Sequence, residues 1–517
     1  MRLGIDVGGT YTDAVLMAGA DILASHKALT TPDILSGIID VLSEVLAQSE
    51  ASTESIQCVM VGTTQFTNAV VARRDLQRVF ALRISLPGGS AIPPLVGWPE
   101  NLALTVNGGH RFLHGGFEYN GRENCPLIED EIIELIACIK EATVRQVAIT
   151  STFSPLKPDL EIHLAQRLRQ AIPDTHITCS YEIGGLGLLD RENAAILNAA
   201  LGPLADSVIN ALEAAVKAAG VTAPVFISQN DGTLMNAETA KRYPVMTFSS
   251  GPTNSMRGAL FLSGVQDALV VDVGGTTADI GMLSGGFPRP SGTEVQVGGV
   301  RTNFRMPDVL PIGLGGGSVV HSQGERIGPD SLGHELVSKG LVFGGDVMTA
   351  SDIGIAAGLA DFGDPTLATI DQGTIDTSLA TMKSMLADAI DQVKTSAEPL
   401  PVIAVGGGAF LVGDDIAGVS EIIRPPHSAI ANAVGAALAQ VGGEAELLYT
   451  RSQEARADAH ARVKKQACDK AVAMGADPQS VEILYVDETS LAYMAEGTVR
   501  LNAKAVGDLL LDGGLQP

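Results

Sequence analysis

At 517 residues, 45% of them hydrophobic and 18% charged, the chain has material for two or three domains with ample cores and is too apolar to be disordered. Lys and Arg number 34 against 59 Asp and Glu, and the resulting charge of −25 argues against a general nucleic-acid binder or a protein held on anionic membrane. Five scattered cysteines without a C-x-x-C pair, an N-terminus that meets Asp6 before any apolar run develops, and no apolar stretch approaching membrane-spanning length set the expectation of a cytoplasmic protein.

The first strand, Arg2-Leu3-Gly4-Ile5, enters the phrase Asp6-Val7-Gly8-Gly9-Thr10-Tyr11-Thr12-Asp13 and leaves through a second apolar run, Ala14 to Met17. This predicts a hairpin with a glycine turn. Paired glycines let the backbone approach an anion without Cβ interference, so that N–H groups and a Thr hydroxyl point at phosphate oxygens. An Asp at the strand end is placed to hold hydrated Mg²⁺ through water or to orient an attacking water. A third strand follows from Asp21 to Lys27. Thr31-Pro32-Asp33 then opens a helix reaching about Gln48, with Ile34, Leu35, Ile38, Ile39, Leu42 and Val45 on one face.

A strand from Ser55 to Val61 ends at Gly62-Thr63-Thr64-Gln65-Phe66-Thr67-Asn68, where a helix begins. Those hydroxyls either cap the helix or present its positive end to a ligand, and one side chain can serve both ends. Residues 86–126 are rich in Gly, Pro and Asn and read as a long irregular insertion, a lid or a substrate wall. Within it, His110 and His114 are flanked by glycines, which favours strand and turn over a helical metal site.

Alternation resumes with helices at 129–141 and 158–171 and strands at 146–151 and 177–181. Asp190 caps a helix running from Glu192 to Leu201, and a domain boundary is expected near residue 190. The preceding Ser180-Tyr181-Glu182-Ile183-Gly184-Gly185-Leu186-Gly187 reads as linker or active-site rim. A strand at 224–229, the turn Asn230-Asp231-Gly232 and a helix after Ser249-Ser250-Gly251-Pro252 lead to Ala268-Leu269-Val270-Val271. There the first phrase recurs as Asp272-Val273-Gly274-Gly275-Thr276-Thr277-Ala278-Asp279, six of eight positions agreeing, followed by another apolar run, Ile280 to Leu283. Two copies read as two related domains closing on one nucleotide.

Beyond the repeat, Gly313-Leu314-Gly315-Gly316-Gly317-Ser318 lacks the spacing of a dinucleotide fingerprint. The strand Pro401 to Val405 ends in Gly406-Gly407-Gly408, where a flat ligand such as adenosine can lie on the backbone. From Arg451 a charged helix to about Met474 and strands at 482–486 and 498–505 read as a small α+β appendix.

Together, Gly4 to Asp13, Gly62-Thr63-Thr64 with Thr67-Asn68-Ala69, Ser250-Gly251-Pro252, Asp272 to Asp279 and Gly315-Gly316-Gly317-Ser318 resemble the hydantoinase/5-oxoprolinase A family of the actin, sugar kinase and Hsp70 superfamily. The likeness extends to Lys504-Ala505-Val506-Gly507-Asp508-Leu509. It implies an α/β protein with two ribonuclease-H-like, actin-like ATPase domains (1–190, with the insertion at 86–126, and 191–450) flanking a nucleotide cleft, then the appendix at 451–517. It also implies ATP-dependent opening of a cyclic amide (hydantoin, 5-oxoproline or lactam) through phosphorylation of its carbonyl.

Under that resemblance Asp6 and Asp272 are catalytic and hold Mg²⁺ through water. Gly8, Gly9, Thr10, Thr12 and Asp13 form the first phosphate loop; Gly274, Gly275, Thr276, Thr277 and Asp279 form the second; Gly406, Gly407 and Gly408 match the adenosine motif. The chain departs from the family pattern at Val61, where many members have His, and it is shorter than most members that act with a B-type subunit, so that partner, a homo-oligomer and a stand-alone role all remain open. A small-molecule kinase and an ATP-gated scaffold are the alternative functions. Arg301, Arg305, His321 and His334 are candidate contacts for a substrate carboxylate.

Overall fold

The computed structural model describes residues 1–30, 34–291, 295–304, 306–491 and 497–510. The predicted helix opening at Thr31-Pro32-Asp33, the Ile34 and Leu35 side chains and the candidate contact Arg305 lie outside the described residues.

Each copy of the repeated phrase folds as a hairpin whose first strand also pairs in parallel with the next strand of its sheet. Arg2–Val7 is antiparallel to Tyr11–Ala18 and parallel to Cys58–Thr63. Ala268–Val273 is antiparallel to Ala278–Ser284 and parallel to Leu400–Val405. In both hairpins the two aspartates face each other across the strands, Asp6 opposite Asp13 and Asp272 opposite Asp279. The α/β architecture of two related halves around a cleft is thus present.

The first hairpin belongs to a nine-stranded sheet. Beyond Cys58–Thr63 it continues through Val225–Ser228, Leu234–Asn236, Val441–Thr450 and Thr498–Gly507 to the edge strand Glu482–Ser490. Hydrogen bonding therefore runs across the expected boundaries at 190 and 450, and the C-terminal strands extend the first sheet. Their side chains alternate, with Ala445, Leu447, Leu501, Ala503 and Ala505 buried against helix Arg456–Ala473, which holds that end of the sheet by apolar burial.

The segment 86–126 is not irregular throughout. It supplies helix Glu100–Val106 and strand Asn107–His114, which adds in parallel to Val79–Leu86 as the edge of a four-stranded sheet completed by Gln146–Ser151 and His176–Cys179. Its glycines supply turns and left-handed positions such as Gly109 (φ +104°) without preventing the strand.

The helix expected at Glu192 to Leu201 begins earlier, at Leu188, and runs to Ala218 through Pro203, so Asp190 lies in its first turn and does not cap it. Contrary to expectation, this helix is apolar and long enough by composition to cross a membrane. However, 61% of its most apolar window is buried inside the protein. It also carries Arg191 and Glu192, whose charges are spent on Ser180, Gly185, Ser151 and Arg83. A core helix explains both facts.

Two helices lie between the halves. Ser250–Ser263 and Ala431–Ala437 cross at backbone contact, since a Cβ on Gly258 would stand 1.9 Å from Ala431 O and one on Gly435 1.8 Å from Asn254 O. Ala431–Ala437 rests on the first hairpin and Ser250–Ser263 on the second.

Candidate active site

The turns of the two hairpins are built alike: Gly8 N donates to Tyr11 O at 3.1 Å and Gly274 N to Thr277 O at 2.9 Å. They face each other so closely that a Cβ on Gly275 would lie 3.0 Å from Thr10 Oγ1. Between them opens a cleft of about 610 Å³ whose walls include Asp6, Gly8, Gly9, Thr10 and Asp13 from one side and Asp272, Gly274, Gly275, Thr276 and Thr277 from the other. Successive N–H groups and three hydroxyls therefore converge on one volume, an arrangement suited to a chain of phosphates.

Two expected site residues stand back from the cleft. Thr12 is 1% exposed and bonds Thr30 Oγ1 at 3.1 Å, because it precedes Asp13 on the strand and points to the opposite face. Asp279 sits behind Asp272, beside Pro252, Ser255 and Gly281.

Crowding of carboxylates sets the electrostatics. Burial first, then the neighbouring Asp13 and, further off, Asp272 push the Asp6 carboxyl up to about 7, against one opposing hydrogen bond from Asn432 Nδ2 at 3.4 Å. Burial and then Asp272 push Asp279 to about 7 as well, and burial raises Asp13 and Asp272. Lys27 opposes this, its Nζ 2.7 Å from Asp13 Oδ2, and it is the single Lys or Arg on the cleft wall among the described residues.

At the floor, Asp6 Oδ1, Asn254 Oδ1 and Nδ2, and Asn432 Oδ1 are buried without a hydrogen-bond partner. Gly62 permits this gathering, since a Cβ there would meet Asn254 Nδ2 at 2.7 Å and Asp6 Oδ1 at 2.8 Å. Orphaned oxygens beside mutually repelling carboxylates fit a hydrated hard cation, which supplies both positive charge and donors.

The raised Asp6 carboxyl has a consequence for stability. The unfolded chain loses this proton near 3.8, the folded chain near 7. Between the two the folded state holds the extra proton, so the group's favourable contribution is full below pH 3.8 and is lost as pH rises through about 7. Melting temperature of the nucleotide-free chain is expected to fall through this window, and Asp6→Asn to flatten the fall; a pH series of thermal melts on both proteins checks it.

The glycine triplet works residue by residue. Gly406, at φ +86°, lets Asp272 Oδ1 approach to where a Cβ would be 2.2 Å away; Gly408 N bonds Val273 O at 2.8 Å; Gly407 is exposed with open space at its Cβ position. Beside it Phe410 meets Phe362 edge-on at 5.6 Å, and Phe362 stacks on Phe343 at 6.2 Å, giving the cleft an aromatic wall for a planar base. The stretch 313–318 buttresses the second turn: Gly316, which also lines the cleft, donates its N–H to Gly274 O, and Gly317 N donates to Gly275 O.

The helix Gln65–Ala72 turns its N-terminus toward the cleft. Thr64 and Asn68 line the wall, and Thr64 makes no side-chain cap bond. Of the candidate carboxylate contacts, His334 lines the cleft, His321 is taken by Asp330 at 2.9 Å, and Arg301 lies 3.7 Å from Asp190. In the 107–114 strand, His110 is edge-on to Phe112 and His114 Nδ1 is 2.6 Å from Glu131, so each is engaged locally.

The description "Hydantoinase/oxoprolinase N-terminal region" matches residues 2–172 and "Hydantoinase/oxoprolinase" matches residues 191–361, each containing one of the two hairpins. The chain belongs to the hydantoinase/oxoprolinase family. It is 27% identical over 394 residues to caprolactamase subunit alpha of Pseudomonas jessenii, covering 70% of this chain and 55% of that one. It is 24% identical over 392 residues to the acetophenone carboxylase gamma subunit of Aromatoleum aromaticum, covering 69% and 53%. In those alignments the chain spans about half the length of either relative.

Among solved structures, the ATP-dependent caprolactamase of Pseudomonas jessenii superposes with a TM-score of 0.79 at 20% identity, covering 99% of this chain and 88% of that chain. Nucleotide-free acetone carboxylase gives 0.72 at 16%, covering 98% and 88%. Both share the fold of this hydantoinase/oxoprolinase family member.

Sequence reasoning passed over Lys27, Asn254, Asn432, Phe343 and Phe362. Lys27 carried a usable signal, because extending the hairpin by one strand sets it directly opposite Asp13. Asn254 lies just past Ser250-Gly251-Pro252, in the first turn of helix Ser250–Ser263, and is fully buried. Asn432 and the two phenylalanines reach the cleft only through tertiary packing.

Proposed function

We propose that this family member uses ATP to activate a cyclic amide, of the hydantoin, 5-oxoproline or lactam class, acting as the hydrolase or as its phosphorylating subunit in a cytoplasmic setting. The observation that carries this reading is the meeting of two like-built Gly/Thr turns across one carboxylate-floored cleft. The ATP dependence of the caprolactamase relative supports it.

A ring amide is a poor electrophile because its nitrogen lone pair is delocalised into the carbonyl. Attack of the carbonyl oxygen on the γ-phosphorus breaks the bond to the β-bridging oxygen and releases ADP. Water adds to the carbon of the resulting imidate phosphate, the C–N bond opens with the proton passing to the ring nitrogen, and the acyl phosphate that remains is hydrolysed by a second water to the carboxylate and free phosphate. The protein's share is positioning and charge stabilisation.

N–H groups of Gly9 and Gly275 with the hydroxyls of Thr10, Thr276 and Thr277 bind and align the phosphates. Asp6 and Asp272, with Asn254 and Asn432, hold hydrated Mg²⁺, which when bound neutralises phosphate charge. Lys27 supplies the wall's fixed positive charge over the transferred group. Lys27→Met is expected to lower turnover about a hundredfold with nucleotide affinity little changed, checked by steady-state phosphate release beside nucleotide titration.

The deciding experiment is a phosphate-release screen with Mg·ATP against hydantoins, 5-oxoproline and lactams, with and without a candidate B-type subunit. Ring-opened product with free phosphate supports the proposal. A stable phosphorylated product assigns a kinase instead, and saturating ATP binding without turnover on any ring assigns a scaffold.

A further inference from the structure

Three sequence stretches that the nucleotide cleft does not use come together elsewhere in the fold. Tyr181 to Gly185, the turn around Asp231 and the C-terminal strand at Asn502 and Lys504 all line a separate cavity of about 480 Å³. It shares no lining residue with the cleft, so a ligand there binds alongside nucleotide.

Its floor is one face of the first sheet. Glu444 and Glu446 pair in register with Lys504 and Asn502, so the strands Val441–Thr450 and Thr498–Gly507 turn a row of polar side chains inward where a core would present apolar ones. Lys504 is 4% exposed and is held by Asp231, whose other oxygen accepts from Thr233 N at 2.9 Å and Thr233 Oγ1 at 2.6 Å. Desolvating such a pair is costly, and an apolar replacement commonly packs as well. Asn502 is also 4% exposed; its Nδ2 donates to Glu444 Oε1 at 2.6 Å, while its Oδ1 is buried at the cavity without a partner. A buried, unpartnered acceptor on a cavity wall calls for a donor.

The charges say which donor. Glu182 is paired with Arg242 at 2.6 Å, but Asp231, Glu444 and Glu446 still outnumber Lys470 and Lys504 on the wall, and Lys470 Nζ is already spent on Glu444 O at 2.7 Å. The hydroxyl of Tyr181 adds further hydrogen-bonding capacity next to Glu182, at 3.2 Å from its Oε1.

We infer that this cavity is a second small-molecule site, taking a compact ligand with a primary ammonium group, an amino acid or small amine, whose N–H bonds satisfy Asn502 Oδ1. The volume lies in the range of small-ligand pockets. The inference does not depend on the amide reading of the cleft.

The test is calorimetric titration of the full chain, with ADP present to fill the cleft, using L-lysine, 6-aminohexanoate and 1,4-diaminobutane as probes and hexanoate as the ammonium-free control. Saturable binding of at least one ammonium probe, none of hexanoate, and at least about tenfold weaker binding in Asn502→Leu or Tyr181→Phe is expected, with ADP affinity unchanged in both variants. Tyr181→Phe keeps the test open should Asn502→Leu fail to fold. No saturable binding of any of the three amines, equal binding of hexanoate, or affinity unchanged in the folded variants overturns the assignment.

Discussion

Asp6→Asn is expected to abolish ATP turnover, by about a thousandfold or more, while making the nucleotide-free protein more stable at pH 8. The two effects have one cause. Asp6 is buried opposite Asp13 and faces Asp272 across the cleft, and its carboxyl is pushed to about 7, so at pH 8 the folded chain carries a charge that its surroundings oppose. The amide keeps the shape and the Asn432 contact region and removes that charge, a gain on the order of 1–3 kcal/mol. It also removes the oxygen pair that holds the hydrated cation, without which aligned phosphates lack their neutralising charge. Phosphate release measured beside a thermal melt at pH 8 separates this from ordinary damage, because a merely structural Asp loses stability and activity together. Asp272→Asn should lose turnover equally. Normal turnover in both variants would remove the cleft's assigned role.

The hairpins were readable because their information is local. A strand-length apolar run, two glycines and a closing Asp specify turn and register within eight residues, and the second copy repeats them. What escaped reading depends on partners far away in the chain. Val441–Thr450 carries Gly442 and Gly443 near its start, a weak strand signal, and is held as a strand because Thr498–Gly507 pairs along its whole length. Gly442 and Gly443 are small there because Thr233 and the backbone of the 456–473 helix press against them. Beyond Leu201 the helix continues through Gly202 and Pro203, local punctuation that packing over the neighbouring strands overrides.

The same division runs through the site. Asp6, Thr10, Asp272 and Thr276 sit on the repeated phrase and could be placed from it. Thr12 and Asp279 belong to the phrase yet stand back from the cleft, since strand alternation for Thr12 and layer depth for Asp279 decide exposure, and spacing alone does not report layer depth. Asn254 and Asn432 come from the two crossing helices and lie 178 positions apart in the numbering, so only their packing reveals that they share one floor.

That packing yields the second large effect: Gly435→Ala is expected to unfold the junction between the halves, costing more than about 3 kcal/mol and activity with it. A Cβ at 435 would sit 1.8 Å from Asn254 O, and the atom it meets is backbone, which cannot rotate away as a side-chain end can. Relief requires the helices Ser250–Ser263 and Ala431–Ala437 to separate, and these helices carry Asn254 and Asn432 while resting on the two hairpins. The opposing turns, now close enough for Gly275 to abut Thr10, would part as the crossing widens. Gly258→Ala meets Ala431 O at 1.9 Å from the other side of the same crossing and should behave alike, whereas Gly88→Ala, with open space around its Cβ position and no left-handed φ, is the neutral control. Urea melts of the three variants check the order, and a Gly435→Ala protein as stable as the Gly88→Ala control would show that the halves do not depend on this crossing.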